Sequence, residues 1–334
     1  MKRAFFASAL LLSLAARSGD AEPLPAAADP NEPLRVMTYN VHGLPWPIVH
    51  QRSGELAQIG ARLAALRSQG EQPSVVLLQE AFTGAAVRIG REAGYRYSAA
   101  GPSADEHDSV AMNADDRDRA AEARALKGET EGKWESSGLH IFSDFPIVAV
   151  SRFAYPSFAC AGFDCLANKG ALLVTLSVPG RGLVQIVTTH LNSRHASGVP
   201  DARATPAYQR QVELLDGFLR AHVDPNLPLI VAGDFNMGQV PDRQAALTAR
   251  AESWKALEGG SGGEGLRACV AGGQVDSPRD AAEIIRRSRD FEFFYSGKRI
   301  RLAPEHATIP FGRSADGTML SDHIGFSVTY RMTS

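Results

Sequence analysis

The sequence predicts an α/β protein in which two β-sheets pack face to face and helices cover their outer surfaces, four layers in the order α-β-β-α. Two observations predict it. Short apolar runs rich in Val, Ile and Leu recur along the chain, with only a few short amphipathic stretches between them. Several runs also end at an acid, an amide or a histidine. YNVHG lies at Tyr39–Gly43, LLQE at Leu77–Glu80, THLNS at Thr189–Ser193, AGDFN at Ala232–Asn236 and SDH at Ser321–His323. Polar groups at strand ends, drawn from distant parts of a chain, converge when the strands lie side by side, so one end of the sandwich is expected to carry a site.

Residues 1–21 read as an export signal. Lys2 and Arg3 supply a basic start, Ala4–Ala16 is apolar but too short to span a bilayer, and Gly19-Asp20-Ala21 offers small residues for cleavage after Ala21. A Pro/Ala-rich tether occupies 22–33, and 34–334 is expected to form one domain. It opens with a strand at Leu34–Val41 and a helix over Ser53–Arg67, where Leu56, Ile59, Leu63 and Leu66 recur at helical spacing. A buried strand at Val75–Leu78, a helix at Thr83–Ala93 and a strand at Tyr95–Ala99 follow. Residues 101–135 break the rhythm. Their Asp, Glu, Arg and Ala content and lack of apolar residues predict an exposed, solvated insertion, part-helical around Asp116–Leu126.

Strands resume at Leu139–Ser143, Ile147–Phe153, Gly170–Val178 and Leu183–Leu191. A helix spans Tyr208–Ala221, with Val212, Leu215 and Leu219 on one side, and strands recur at Leu229–Ala232, Phe291–Tyr295 and Gly325–Tyr330. The glycine-rich Gly259–Gly265 reads as a flexible surface loop, because no Lys-Ser/Thr follows at the spacing of a phosphate-binding loop.

Hydrophobic residues at 44% and charged residues at 22% fit a soluble globular enzyme. The net charge is −2, and removing 1–21 takes away three basic residues and one acid, leaving −4. No basic stripe advertises nucleic-acid binding, so no stable nucleic-acid partner is expected. Cys160 and Cys165 could close a small disulfide loop in an exported chain, leaving Cys269 free, but three pairings are open. No CxxC or HExxH spacing suggests zinc.

Asn, Glu, Asp and two His in one pocket suit a hard metal ion and phosphate cleavage. Glu80 ends a run too apolar for a surface strand, where a carboxylate stays hydrated or meets a cation. Asn40 ends LRVMTYN similarly, and its amide can ligate a metal or orient the neighbouring carboxylate. Asp234 and Asn236 point to one side if their segment stays extended, where they can position water and a phosphate. His190 and His323 are candidate proton carriers, and Asp290 is a candidate to accept a ring N–H from His323 and orient it as a base.

In this order YN, QE, THL, GDFN, Asp-Phe-x-x-Phe and SDH resemble the endonuclease/exonuclease/phosphatase superfamily, Mg²⁺-dependent phosphoesterases with a DNase I-like sandwich. The resemblance runs from about Arg35 to Tyr330. Within the superfamily, YNVHGLPWP, SSGLHIFSDFPI, DCLANKG at Asp164–Gly170 and AYQRQVELLDGFL resemble neutral sphingomyelinases. The resemblance implies Mg²⁺, with Mn²⁺ or Co²⁺ as substitutes, on Glu80 with Asn40, and Asp322 as a second-metal ligand or as a group orienting His323. It implies His323 as base, oriented by Asp290, with Asp234 aligning the water. His190 and Asn236 would stabilise charge on the phosphoryl oxygens, and Lys169, positioned by Asp164, would neutralise one of them.

The implied activity is cleavage of sphingomyelin into ceramide and phosphocholine by a secreted or periplasmic monomer at a membrane surface. Pro45-Trp46-Pro47 and Phe153–Phe163 offer aromatics either for a lipid interface or choline cage or for ordinary packing under a loop. His42 and His140 read as structural or pocket-lining. The alternative is a DNase-like nuclease or another phosphodiesterase of the superfamily; GDFN lacks the Leu-Asn-Tyr-Arg continuation of the inositol-phosphate phosphatases. A non-catalytic binding protein on this fold is disfavoured, because Glu80, Asp234, Asp290 and His323 are all present.

Overall fold

The computed structural model describes residues 33–45, 49, 52–257, 260–314 and 316–333. The expected signal segment, the tether apart from Pro33, and Trp46-Pro47 lie outside the described residues. In chain order the elements are β1 (Leu34–Asn40), α1 (Ser53–Ser68), β2 (Val75–Gln79), α2 (Gly84–Glu92), β3 (Tyr97–Ala100), α3 (Ala114–Ala121), β4 (His140–Ser143), β5 (Ile147–Ala154), β6 (Gly170–Val178) and β7 (Gly182–His190). There follow α4 (Asp201–His222), β8 (Leu229–Asp234), α5 (Pro241–Leu257), β9 (Gly262–Glu264), α6 (Gly265–Ala271), α7 (Pro278–Arg287), β10 (Asp290–Tyr295), β11 (Arg301–Phe311) and β12 (Gly325–Thr333).

The strands form two six-stranded sheets, ordered β11-β12-β1-β2-β4-β3 and β5-β6-β7-β8-β10-β9. Three apolar clusters explain the four layers. Leu34, Val36, Val75, Leu77, Val174, Ile186, Ile230 and Phe326 fill the space between the sheets. Met37, Tyr39, Val76 and Leu78, on the alternate positions of β1 and β2, pack against Leu56, Ile59 and Leu63 of α1 and Ile89 of α2. On the other side Val187, Val231, Phe293 and Tyr295 pack against Val212, Leu215 and Leu219 of α4 and Trp254 of α5. Among the described residues no helix is long and apolar enough to cross a membrane.

The inner face changes character along its length, and this places the site. The inward positions of β1 run Leu34, Val36, Thr38, Asn40; those of β2 run Val75, Leu77, Gln79. In β7 they run Val184, Ile186, Thr188, His190, and in β8 Ile230, Ala232, Asp234. Each strand begins in the oily centre and ends on a polar group at the same end of the sandwich. At the transition, Gln79 donates to Thr188 Oγ1 of the facing sheet (3.1 Å) and contacts Thr38 Oγ1 (3.2 Å), which satisfies polar groups the core would otherwise strand.

Three expectations need correction. Residues 262–264, read as flexible loop, form a strand paired with Phe293–Tyr295, and Gly262 is required because a Cβ there would lie 2.3 Å from the Phe294 carbonyl. The 101–135 insertion, expected to be solvated, is exposed along most of its length but stitched down at specific points. Asp116 is fully buried and pairs with Arg119 and with Arg210 of α4, while Glu129 pairs with Arg203 (2.8 Å) and accepts from Gly162 N (2.8 Å). A buried carboxylate met by guanidinium is tolerated where an unpaired one is not, so a charge-rich segment can still dock. Finally, α5, α6, α7 and β11 had no assignment in the sequence, and α4 starts at Asp201, with Pro206 inside it. The structure joins Cys160 to Cys165 as a disulfide and leaves Cys269 free and buried.

Gly233 fixes the approach of β7 to β8. Its φ is +147°, and a Cβ would sit 2.1 Å from the Thr189 carbonyl oxygen, which cannot retreat without breaking the ladder that aligns His190 with Asp234. Gly233→Ala is therefore expected to cost about 3 kcal/mol or more in urea denaturation. A loss within about 1 kcal/mol, the ordinary effect of filling a roomy turn, would show that the close approach is not needed.

Candidate active site

Register brings three site residues into one row. His190 on β7 pairs with Asp234 on β8, and Asp234 pairs with Asp290 on β10, so their side chains stand side by side at the end of the second sheet. The first sheet brings Asn40 and Glu80 up against this row. Asn40 Nδ2 donates to Glu80 Oε1 (2.8 Å) and to Asp234 Oδ2 (3.0 Å), while its Oδ1 accepts from His42 N (3.0 Å). The His42 N–H requires an acceptor, which fixes the amide orientation.

His323 enters from the loop before β12. Its Nδ1 lies 2.8 and 3.0 Å from the two Asp290 oxygens, and its Nε2 is 3.6 Å from Asp234 Oδ2. Ser321 holds this loop in place by donating to the Asn40 carbonyl (2.7 Å) and accepting from His323 N (3.2 Å). His190 Nε2 sits among Lys169 Nζ (3.2 Å), Asp234 Oδ2 (3.5 Å) and Glu80 Oε1 (4.0 Å). The Lys169 ammonium also donates to the Leu191 carbonyl (3.1 Å) and pairs with Asp164 (3.0 Å), which in turn accepts from Ser193 N. A lysine buried to this degree, with three partners, is part of the site and not a solvated surface residue.

Of the other expected site residues, Asn40 takes the orienting role, Asp322 lies apart, and Asn236 departs from the extended path expected of it. Asn40 presents its nitrogen to the carboxylates and its oxygen accepts from His42 N, so it orients Glu80 and Asp234. Asp322 stands apart from the cluster, half-exposed, 3.7 Å from His42 Nδ1. Asn236 reaches the site by another route. Its φ of +48° breaks the extended path, and it folds back so that its backbone N–H meets Asp234 Oδ1 (3.0 Å) and its side chain donates to the Leu191 carbonyl (3.1 Å). Four described non-glycine residues have positive φ, and three of them, His42, Glu80 and Asn236, ring this site. Such backbone strain gathers where function demands a geometry, and the sequence alone did not disclose it.

Arg243 was not identified from the sequence. It is fully buried at the start of α5 and donates to the carbonyls of Asn192 (2.8 Å) and Asn236 (3.0 Å), with its guanidinium 4.6 Å from the Tyr208 ring centroid. It ties the loop after β7 to the loop after β8. No periodic apolar pattern marks α5 as a helix, so nothing in the sequence placed Arg243 beneath the site.

Burial dominates the protonation of the cluster. It pushes Glu80 up to about 7 against the opposing Asn40 hydrogen bond, and Asp234 up to about 6 although His323 pulls it down. Burial also drives His190 well below its ordinary value, with the charges of Lys169 and His323 adding to the effect, so His190 is neutral. For His323 burial works against the imidazolium, but Asp290, Asp234 and Asp322 outweigh it and raise the group to about 10. The free chain thus holds a protonated imidazole between two carboxylates.

The donor set fits a divalent cation. Ligand atoms of Glu80, His190 and Asp234 lie within 4.8 Å of one another, as do those of Asp234, Asp290 and His323. Glu80 Oε2 and His190 Nδ1 are buried without a hydrogen-bond partner, and an orphaned buried carboxylate oxygen beside a second carboxylate is a vacant acceptor for a hard ion.

The model of the Endonuclease/Exonuclease/phosphatase family matches residues 37–323, which span every residue of this cluster. The chain belongs to this family. Members of the family use divalent metal ions in phosphoester chemistry, and the Glu80, His190 and Asp234 group suits that use.

Solved structures agree on the fold. Sphingomyelinase C from Streptomyces griseocarneus is 21% identical, with 89% of this chain and 99% of that chain covered and a TM-score of 0.60. Beta toxin from Staphylococcus aureus, solved with bound magnesium ions, is 15% identical over 89% of this chain and 99% of its own, with a TM-score of 0.59. TDP2 of D. rerio, solved with a single-strand DNA product, is 15% identical over 90% of this chain and 100% of its own, with a TM-score of 0.57. Among curated proteins none matches this chain.

Cation binding to this family member should follow the two carboxyls. Both have folded pKa values above their ordinary 4.5 and 3.8, so protons bind the folded chain more tightly and cation-free stability falls as pH rises through about 6 and then 7. The same protons compete with the metal. The rise in melting temperature on adding a divalent cation is expected to be large at about pH 8 and small at about pH 5. Glu80→Gln should remove most of that rise, yet leave the cation-free protein at least as stable near neutrality. Equal cation stabilisation at both pH values would sink the assignment of Glu80 and Asp234 as the binding carboxylates.

Proposed function

We propose that this chain is a secreted, Mg²⁺-dependent phosphodiesterase that hydrolyses sphingomyelin to ceramide and phosphocholine. The observation that carries the lipid reading is the Asp164–Gly170 loop, whose Lys169 is buried against His190 and held by Asp164. The acidic net charge supports it, since a nuclease ordinarily gathers cations toward phosphates. The Cys160–Cys165 disulfide supports export under the leader at 1–21.

The proposed reaction is in-line displacement. Water, aligned by Asp234, attacks phosphorus and loses a proton to His323 Nε2, while Asp290 holds Nδ1. The bond to the ceramide oxygen breaks, the departing alkoxide takes a proton from solvent water, and His323 Nε2 returns its proton to solvent. Neutral His190 and the Asn236 amide donate hydrogen bonds to the phosphoryl oxygens, and the Lys169 ammonium balances their charge. Glu80 and Asp234 would hold the cation. When bound, Mg²⁺ supplies charge neutralisation, both of the phosphate and of the Asp234 carboxylate that helps keep His323 protonated in the free chain.

A nuclease is the second reading, and one feature favours it. A groove of about 450 Å³ beside α2 and β3 is lined by Arg88, Arg91, Arg96 and His140, a surface able to follow a phosphate backbone. Sphingomyelin liposomes and plasmid DNA, each assayed with and without chelator, separate the two. Chelator-sensitive release of phosphocholine, lowered about 10²–10⁴-fold by His323→Ala and substantially by Asp290→Asn, is the expected result. DNA nicking without lipid turnover would replace the lipid reading with the nuclease.

A further inference from the structure

Leu126 and Trp134 are the two most exposed large apolar side chains among the described residues, 95% and 65% accessible, and the Phe163 ring is 46% accessible. They come from separate segments, and Lys127, Gly128 and the Trp134 backbone tie those segments to one short turn, Gly162–Leu166. The Lys127 ammonium sits 5.3 Å from the Phe163 ring centroid. Gly128 packs on Leu166, and the backbone N–H groups of Trp134 and Glu135 both donate to the Leu166 carbonyl (2.7 and 3.1 Å). Trp134 Nε1 donates to the Glu131 carbonyl (3.2 Å), so its polar edge is satisfied while its ring stays in the open.

We infer that residues 124–135 and Gly162–Leu166 form a rigid platform that inserts Leu126, Trp134 and Phe163 into a phospholipid surface with zwitterionic headgroups, and so seats the active-site mouth on the bilayer. This rests on the lipid reading of the site. The platform is fixed before it meets a surface. Glu129 pairs with Arg203 and accepts from Gly162 N, and the Cys160–Cys165 disulfide closes the neighbouring loop. Side chains ordered in advance lose little entropy on insertion, which favours docking by a small patch.

The platform is also joined to the chemistry. Phe163 precedes Asp164, the partner of Lys169, and Lys133, next to Trp134, donates to the Ala167 carbonyl (3.3 Å) two residues before Lys169. The charges around it select the surface. Residues 122–135 carry Arg124, Lys127 and Lys133 against Glu122, Glu129, Glu131 and Glu135, with no basic excess to seek an anionic membrane. Attraction then comes from buried apolar area, with Trp at headgroup depth, and is nearly independent of salt.

The test uses the whole chain and phosphatidylcholine vesicles, with co-sedimentation at low and high salt. Leu126→Ser/Trp134→Ser is expected to lower vesicle partitioning by about tenfold or more, since each side chain contributes a large apolar area. Partitioning of the unaltered chain should be equal at both salts. Hydrolysis of the soluble diester bis(p-nitrophenyl) phosphate and the melting temperature should be unchanged by the double substitution. Binding by the variant equal to that of the parent, or binding of the parent only to anionic vesicles at low salt, would overturn the proposal. So would a Trp134-dependent dimer in ultracentrifugation with no vesicle binding, which would assign the patch to a second copy of the chain. Vesicle binding that is lost with the substitutions, but without cleavage of sphingomyelin placed in those vesicles, would retain the platform and reject the substrate.

Discussion

The Asn40 side chain donates its two N–H bonds to two carboxylates that arrive from different sheets, Glu80 at 2.8 Å and Asp234 at 3.0 Å. This bridge is the constraint on which the site depends. Two buried carboxylates at one sandwich mouth repel each other and have lost their water. Hydrogen bonds to charged groups return about 1.5–3 kcal/mol each, less than the several kcal/mol by which burial penalises each ion. The deficit shows in the elevated pKa values of both groups. A divalent cation resolves that frustration, and the amide holds the pair ready for it.

The scaffold makes the frustrated arrangement tolerable by satisfying what surrounds it. Thr38, Gln79 and Thr188 close the floor beneath the cluster with hydrogen bonds between the sheets. Arg243 pins the loops after β7 and β8, Ser321 fastens the His323 loop to the end of β1, and Arg52 donates to the carbonyls of Val41, His42 and Leu320. Each brace joins backbone to a buried donor, so the strained φ values at His42, Glu80 and Asn236 are held from outside the site.

The layers and the row of polar residues at the sandwich mouth were legible in the sequence because both follow from period-two alternation. Asn40, His190 and Asp234 are the last inward steps of strands that start from apolar inward positions, so strand ends and site residues could be read together. What escaped has physical causes too. The site's positive φ values leave no residue signature at Glu80. The long α5 lacks a clear apolar stripe, which hid Arg243. Asp116 and Glu129 looked like solvated charge because their partners, Arg210 and Arg203, lie on α4, far along the chain. Pairing over such distances is invisible to any local reading of charge. Asn40 was correctly placed beside Glu80, but only the hydrogen-bond network showed which end of its amide faces the carboxylates.

Charge balance connects the metal to the proton. Glu80, Asp164, Asp234 and Asp290 bring four formal negative charges to the cluster, and Lys169 with protonated His323 brings two positive ones, while His190 is neutral. One divalent cation cancels that excess, whereas a monovalent ion would leave it half compensated. Under the proposed reaction, the same arithmetic would let one imidazole be both too basic at rest and useful in turnover. In the free chain, uncancelled carboxylates keep His323 protonated, with nothing to accept. Neutralising Asp234 lowers that basicity, so the ring can enter a reaction without its proton. The arriving diester brings negative charge back to the pocket, and Asp290 remains on Nδ1 throughout. In the proposed reaction the ring would then be most ready to take a proton when substrate is bound, which is the behaviour a general base requires.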